Sequence, residues 1–378
     1  MVVQTQGSPH PALVHLALAA TQLSFGGASI VGKFGVHGTN PALFALIREG
    51  CAGPILCALA YWQTRRWLPK AGDVPRVLQA GFCVFGNQFF YIVGLKLSDP
   101  TTASAWQPVQ PIMTLALAVL LRFEKLSCRK AAGIVLAVFG AVVLVAGDAK
   151  PAGAAANPFY LQLVGHAFFF LNDLGTSCYV LRTKALFSVY ESISVAGWSY
   201  MSASLMMLVA VVSINSIPAA LHFVCSDAQP SVEMSCVDGA WKVPSSMLAP
   251  LAYWILLSSV MAYFCMTWAN QYAKPSVVSA YTCVQPVAAL LLSCLLVFIG
   301  GRAWASRYGI ELPGWSDLGI IGIFAGLACL FSEPSMEARP HTDSSKVAML
   351  PEQAAAQGSE FAGLGTSGGG SGGGTSPA

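Results

Sequence analysis

Ten apolar stretches of roughly span length fill most of the first 333 positions: 12–33, 41–62, 75–96, 100–121, 130–147, 158–181, 191–214, 247–270, 275–299 and 315–333. A bilayer core about 30 Å thick takes roughly 20 residues of helix. The pattern therefore predicts an all-α integral membrane protein with ten transmembrane helices. Several stretches open on proline where a helix tolerates it, at Pro41, Pro75, Pro100, Pro158 and Pro275. Composition agrees: 10% of the 378 residues are charged, against about 25% in soluble proteins. The formal net charge of +3 is too small to point to nucleic acid as a partner.

Lys and Arg set the expected orientation, since they concentrate in cytoplasmic loops. With the N-terminus inside, the inner loops and C-terminal tail hold thirteen, including Arg65, Arg66, Lys70, Arg122, Arg129, Arg182 and Lys184. The outer loops hold five: Lys96, Lys150, Lys242, Arg302 and Arg307. Both termini are expected in the cytoplasm, in the plasma membrane or a vacuolar or other organelle membrane. The first stretch lacks a basic preceding segment and reads as a retained helix. Loop 215–246 falls on the outer or lumenal side, where Cys225 and Cys236 are a candidate disulfide. The other cysteines show no C-x-x-C and no spacing suited to zinc, so neither a metal nor a cofactor is expected. Residues 334–378 end in "GTSGGGSGGGTSPA" and read as a disordered cytoplasmic tail.

The segment "PTTASAWQPVQP" at 100–111 returns without gaps as "PSVVSAYTCVQP" at 275–286. "GIVLAVFG" at 133–140 is matched by "GIIGIFAG" at 319–326. Two repeats follow, helices 1–5 in residues 1–150 and helices 6–10 in 156–333. Five spans per repeat is an odd number, so the second repeat enters the bilayer upside down. Inverted repeats of this kind are a device of secondary transporters, with a binding site near the midplane. Gln110 and Gln285 each lie ten residues into their helices, roughly 15 Å deep at 1.5 Å per residue, and are expected to face one another there. Trp106 and Tyr281 stand one turn before them on the same faces. Pro108, Pro111 and Pro286 kink these helices and release carbonyls, those of Gln107 and Thr282 among them. Such a site suits a small polar or zwitterionic solute. The bland alternative is that the prolines only bend the spans and the glutamines only bridge helices.

Other polar residues lie inside the stretches. Arg48 and Glu49 sit roughly 12 Å into helix 2, where charges need a partner or a cavity. Arg48 is a candidate for a substrate carboxylate and Glu49 for a coupling proton. A structural ion pair, with Lys33 or Asn87 as neighbours, is the alternative. A rough alignment of the halves sets Ser199 and Tyr200 opposite this pair. Asn87 and Gln88 are candidates to line the cavity or to bond helices together, and His166 is a candidate proton relay. Asp173 is expected near the inner end of helix 6, solvated at the interface.

The segment "GNQFFYIVGLKLSDPTTASAWQPVQPIMTLALAVLLRFEKLS" at 86–127 resembles EamA-type members of the drug/metabolite transporter superfamily. It is most similar to the plant branch that contains the walls-are-thin and nodulin-21-like proteins. Gly86, Asn87, Gln88, Asp99, Pro100 and "AWQP" at 105–108 carry the likeness, which extends over about 11–333. The resemblance implies a ten-helix fold of two EamA repeats and transport of small organic metabolites, amino acids or auxin-like compounds being usual. It implies no cofactor. The expected partners are a small-molecule solute and the bilayer, with protons as a candidate coupling ion and a homodimer as a candidate assembly. A nucleotide-sugar or sugar-phosphate exchanger is the alternative within transport, though phosphates call for more deep cations than Arg48 alone. A receptor or an embedded enzyme is the alternative outside it. The apolar stretches contain no H-x-x-x-H, G-x-S-x-G or D-x-x-x-D, so an enzyme is not expected.

Overall fold

The computed structural model describes residues 9–31, 40–97, 106–147, 159–225, 236–301 and 318–332. Its main helices are α1 (Pro11–Val31), α2 (Pro41–Thr64), α3 (Val74–Leu97), α4 (Val109–Leu120), α5 (Cys128–Gly147), α6 (Phe159–Leu186), α7 (Ser192–Ser216), α8 (Leu248–Tyr272), α9 (Pro275–Gly300) and α10 (Gly319–Phe331). Each falls within or close to one of the apolar stretches, and the described residues contain no β-strand. Five of these helices, α2, α3, α7, α8 and α9, are long and apolar enough to span a bilayer by length and composition. Lys33, Asp99, Pro100 and the tail from 333 onward lie outside the described residues.

Local chemistry explains the helix ends. The Asn40 side chain accepts from the amides of Ala42 at 2.9 Å and Leu43 at 3.3 Å, and Pro41 has no amide to leave unpaired. At the other end Arg65 adopts a left-handed conformation, φ 56°, and its amide donates to the Tyr61 carbonyl at 2.8 Å. Pro275 opens α9 in the same way as Pro41 opens α2.

Burial runs opposite to that of a soluble protein. Phe298 is 88% exposed and Leu120 75%, whereas Arg48, Glu49, Gln110, Asn172 and Asp173 are buried. A bundle whose outer surface is apolar and whose interior holds its polar side chains is built for lipid.

The helices interlock across the two halves. α3 packs on α6 and α7, α1 on α8 and α9, α2 on α7 and α8, α4 on α6 and α9, and α5 on α10. Glycines permit the α5–α10 crossing. A Cβ at Gly140 would lie 2.5 Å from the Gly319 carbonyl oxygen, and one at Gly326 would lie 2.4 Å from the Ala137 nitrogen. Only a residue without a side chain allows backbones this close. Between α7 and α8, Cys225 and Cys236 form a disulfide, and both are buried. Asn40 ties the start of α2 to this region, donating to Asn215 Oδ1 at 2.9 Å and the Ala240 carbonyl at 3.3 Å.

Candidate functional site

The repeated motif breaks its helix in both places. Residues 107–108 form a turn before α4 resumes at Val109, and Tyr281–Val284 wind as a 3₁₀ segment before the α-helix resumes at Gln285. Proline cannot donate back along the helix, so the preceding amides close shorter turns. The Gln110 amide donates to the Gln107 carbonyl at 3.3 Å, and the Gln285 amide donates to the Thr282 carbonyl. The carbonyls expected to be free for a solute are thus engaged locally, which corrects that expectation. The Ser104 carbonyl lies outside the described residues.

Each break carries an aromatic residue bonded to a histidine on a neighbouring helix. Trp106 Nε1 donates to His166 Nδ1 of α6 at 2.9 Å, with ring centroids 6.1 Å apart. The Tyr281 hydroxyl meets His15 Nδ1 of α1 at 2.9 Å, with centroids 6.0 Å apart. His166 is exposed, whereas Tyr281 is buried and His15 half-buried. Sequence reasoning found His166 and missed His15. The signal was present: "HLALAATQL" at 15–23 and "HAFFFLNDL" at 166–174 share His, a polar pair and Leu in the same frame, 151 residues apart.

Gln110 is buried and Gln285 half-buried, and no hydrogen bond joins the two. A polar network lies between α2, α3, α6 and α8. Arg48 donates to Gln88 Oε1, and its guanidinium lies 3.5 Å from a Glu49 oxygen and 5.1 Å from the Trp254 ring centroid. Gln88 Nε2 donates to the Tyr263 hydroxyl at 2.7 Å, and that hydroxyl donates to Asn87 Oδ1 at 3.2 Å. Asn87 in turn donates to Thr176 Oγ1, while Asn172 Nδ2 donates to the Asn87 carbonyl at 2.6 Å. Tyr200 and Tyr263 meet edge to face, centroids 4.7 Å apart. Arg48 therefore pairs with Glu49, Gln88 and Trp254; Lys33 lies outside the described residues.

Trp254 opens Trp254–Met261, which winds as a π-helix, a rare conformation that recurs at functional sites. Nothing in the residue pattern of 254–261 announces that segment. Asp173 corrects a further expectation: it is only 1% exposed and is the fifteenth of the 28 residues of α6. The helix runs five residues past the predicted end because Lys184 sits within it and donates to the Ala273 carbonyl at 2.6 Å.

At the end of the bundle that carries the basic loops, a buried lock joins the halves. Lys130 Nζ donates to Glu124 Oε2 at 2.5 Å. The same carboxylate accepts the Ser276 amide at 2.8 Å and the Ser276 hydroxyl at 2.7 Å. Glu124 thus caps the first turn of α9, where an anion is favoured.

With this geometry in hand, residues 12–146 match the EamA-like transporter family. The match takes in α1 to α5. A WAT1-related protein of Arabidopsis thaliana is 32% identical over 147 residues, 37% of this chain and 39% of its own length. Walls Are Thin 1 of the same plant is 30% identical over 146 residues, 37% of each chain. An uncharacterized transporter of Archaeoglobus fulgidus is 24% identical over 183 residues, 47% of this chain and 60% of its own. The chain thus spans less than two thirds of the length of these relatives. A solved crystal structure, 17% identical, superposes with a TM-score of 0.63 over 85% of this chain and 98% of its own, which establishes a shared fold. The matched segment contains Arg48, Glu49, Asn87, Gln88, Trp106 and Gln110. Tyr263, Trp254, Asn172, Thr176, Tyr281 and Gln285 come from beyond it. Kinship with transporters and the apolar helices make the chain an integral membrane protein similar to membrane transporters.

Proposed function

We propose that the chain is a secondary transporter of small organic carboxylates, amino acids or auxin-like compounds, built as two inverted five-helix repeats that rock around a midplane site by alternating access. Both termini are then cytoplasmic. One observation carries the reading. Gln88 on α3 and Tyr263 on α8 stand 175 residues apart, the offset of the repeated motif, and they are hydrogen-bonded to each other. In a twofold repeat, counterpart residues meet only beside the axis relating the halves. The helix contacts support this. Exchanging α1–α5 with α6–α10 turns the α3–α6 contact into α8–α1, α3–α7 into α8–α2, and α4–α6 into α9–α1. The pairs α2–α7, α4–α9 and α5–α10 map onto themselves.

Arg48 is the deep cation suited to a carboxylate, and Trp254, Tyr200 and Tyr263 supply an aromatic wall for an apolar side group. The test is counterflow into proteoliposomes loaded with amino acids, indole acids and nucleosides. Accumulation of a labelled carboxylate, lost in Arg48→Gln with folding intact, is the expected result. Exchange that survives Arg48→Gln removes Arg48 from the site. Absence of exchange by every pool member overturns the transport reading for this solute class.

A further inference from the structure

We infer that Asp173 is the proton-binding site of the transport cycle. The inference rests on the transporter reading but is argued from different atoms. Asp173 lies at the middle of α6, is 1% exposed, and neither carboxylate oxygen has a hydrogen-bond partner among the described residues. The other buried acids each have a cation beside them, Glu49 with Arg48 at 3.5 Å and Glu124 with Lys130 at 2.5 Å.

The position of Asp173 follows from the register of α6 on α4. Trp106 contacts His166 and Phe170, and the Thr114 hydroxyl meets the Ser177 hydroxyl at 2.8 Å. Those contacts define one stripe of α6, residues 166, 170 and 177, running beside residues 106 and 114 of the α4 segment. Asp173 occupies the turn of the stripe between Phe170 and Ser177. Gln110 occupies the corresponding turn between Trp106 and Thr114, and it is buried as well. Asp173 therefore faces the helix that carries the duplicated Q-P motif.

Among the described residues its surroundings offer no compensating charge. On α3 the titratable neighbour is Cys83, whose carbonyl borders Gly175. On α8 it is Tyr263. The facing stretch of α4 and residues Pro275–Ala280 of α9 carry no charge. On α6 itself lie His166, Cys178, Tyr179, Arg182 and Lys184, the last bonded to the Ala273 carbonyl. Arg182 is nine residues on, roughly 14 Å along the axis. An ionised carboxylate kept from water with neither donor nor counter-ion is costly. The same group carrying a proton becomes a donor, with the Gln110 amide oxygen as an acceptor of suitable chemistry on the facing helix. Proton binding and release at this acid would then be tied to the movements of α4 and α6.

The counterpart of Asp173, 151 residues earlier, is Gln22 at the middle of α1. It is 2% exposed, and its Oε1 also has no hydrogen-bond partner among the described residues. The two halves thus share a buried polar position, and only the second can exchange a proton.

Infrared spectroscopy of the purified full chain in liposomes tests this without a solute. At neutral pH the wild type is expected to show the carbonyl stretch of a protonated carboxylic acid. Asp173→Asn should lose it, and Asp173→Glu should restore a shifted band. A wild-type spectrum that Asp173→Asn leaves unchanged overturns the assignment. In the same liposomes, an imposed proton gradient is expected to stimulate wild-type uptake of the pool member that exchanges. That stimulation should vanish in Asp173→Asn and return in Asp173→Glu; stimulation that persists in Asp173→Asn also overturns it. Failure of every solute to exchange in the wild type sinks the transporter reading, while the infrared result still decides Asp173.

Discussion

On α2, Arg48 and Glu49 are buried beside Gln88 and Trp254; at the corresponding place on α7, 151 residues on, stand Ser199 and Tyr200. On α6, Asp173 is buried without a partner; at the corresponding place on α1 stands the neutral Gln22. The two halves thus repeat a frame of helix breaks, glycine crossings and histidine–aromatic pairs while placing their charges at different levels of it. Under the proposed reading, a substrate anion is held by the first half and a proton by the second. Geometry is shared because packing requires it, and chemistry is divided because one site needs both signs of charge.

The comparison can be broken most forcefully where the halves are joined. Glu124→Ala leaves Lys130 buried without its carboxylate and should cost about 3–5 kcal/mol. The loss is read from the melting temperature of detergent-solubilised protein; a shift within error would show that the lock is ornamental. Next comes the α5–α10 crossing, where Gly140→Val drives a side chain against the α10 backbone and should cost about 1–3 kcal/mol. Gly50→Ala, with nothing within 4 Å of its Cβ, is the matched control and should stay within about 0.5 kcal/mol. Equal melting points for the two glycine variants would remove the close crossing as the reason for these glycines.

The histidine pairs sharpen the contrast between the two ends. His15→Ala removes a bond to a buried tyrosine and should cost about 1 kcal/mol, whereas His166→Ala, at an exposed pair, should cost less than about 0.5. Equal losses in thermal melts would mean that both ends are equally sealed. A last pair of variants probes the counterpart position on α1. Gln22→Glu should change stability more than Gln22→Met, because only the acid adds a charge with no donor near it. Indistinguishable melts would show that water reaches α1.

The helix starts were legible because Asn40-Pro41 and Pro275 encode them chemically. The α6 end was not, since Arg182 and Lys184 look like loop residues, whereas Lys184 stays helical by finding the Ala273 carbonyl. Arg48, Asn87 and Gln88 stood out as polar residues in apolar runs. Tyr263 and Trp254 did not, because aromatic residues are ordinary in such runs, and their roles depend on the register of a π-helical turn. His15 was hidden near the start of its helix, where a polar residue calls for no explanation. The free Gln107 and Thr282 carbonyls were inferred from proline chemistry alone, which predicts the lost bond but not the shorter turn that replaces it.

The bond between Gln88 and Tyr263 has a consequence for how such a chain came about. In an ancestor made of two identical half-length subunits, a residue beside the axis would have met its own copy, two glutamines or two tyrosines. Joining the halves in one gene lets each copy mutate alone, so a donor can face an acceptor of a different kind. Under the proposed inverted-repeat reading, the 2.7 Å contact between unlike residues is a mark of fusion. Sequences in which both positions carry the same residue would be the ones to inspect for a dimeric precursor.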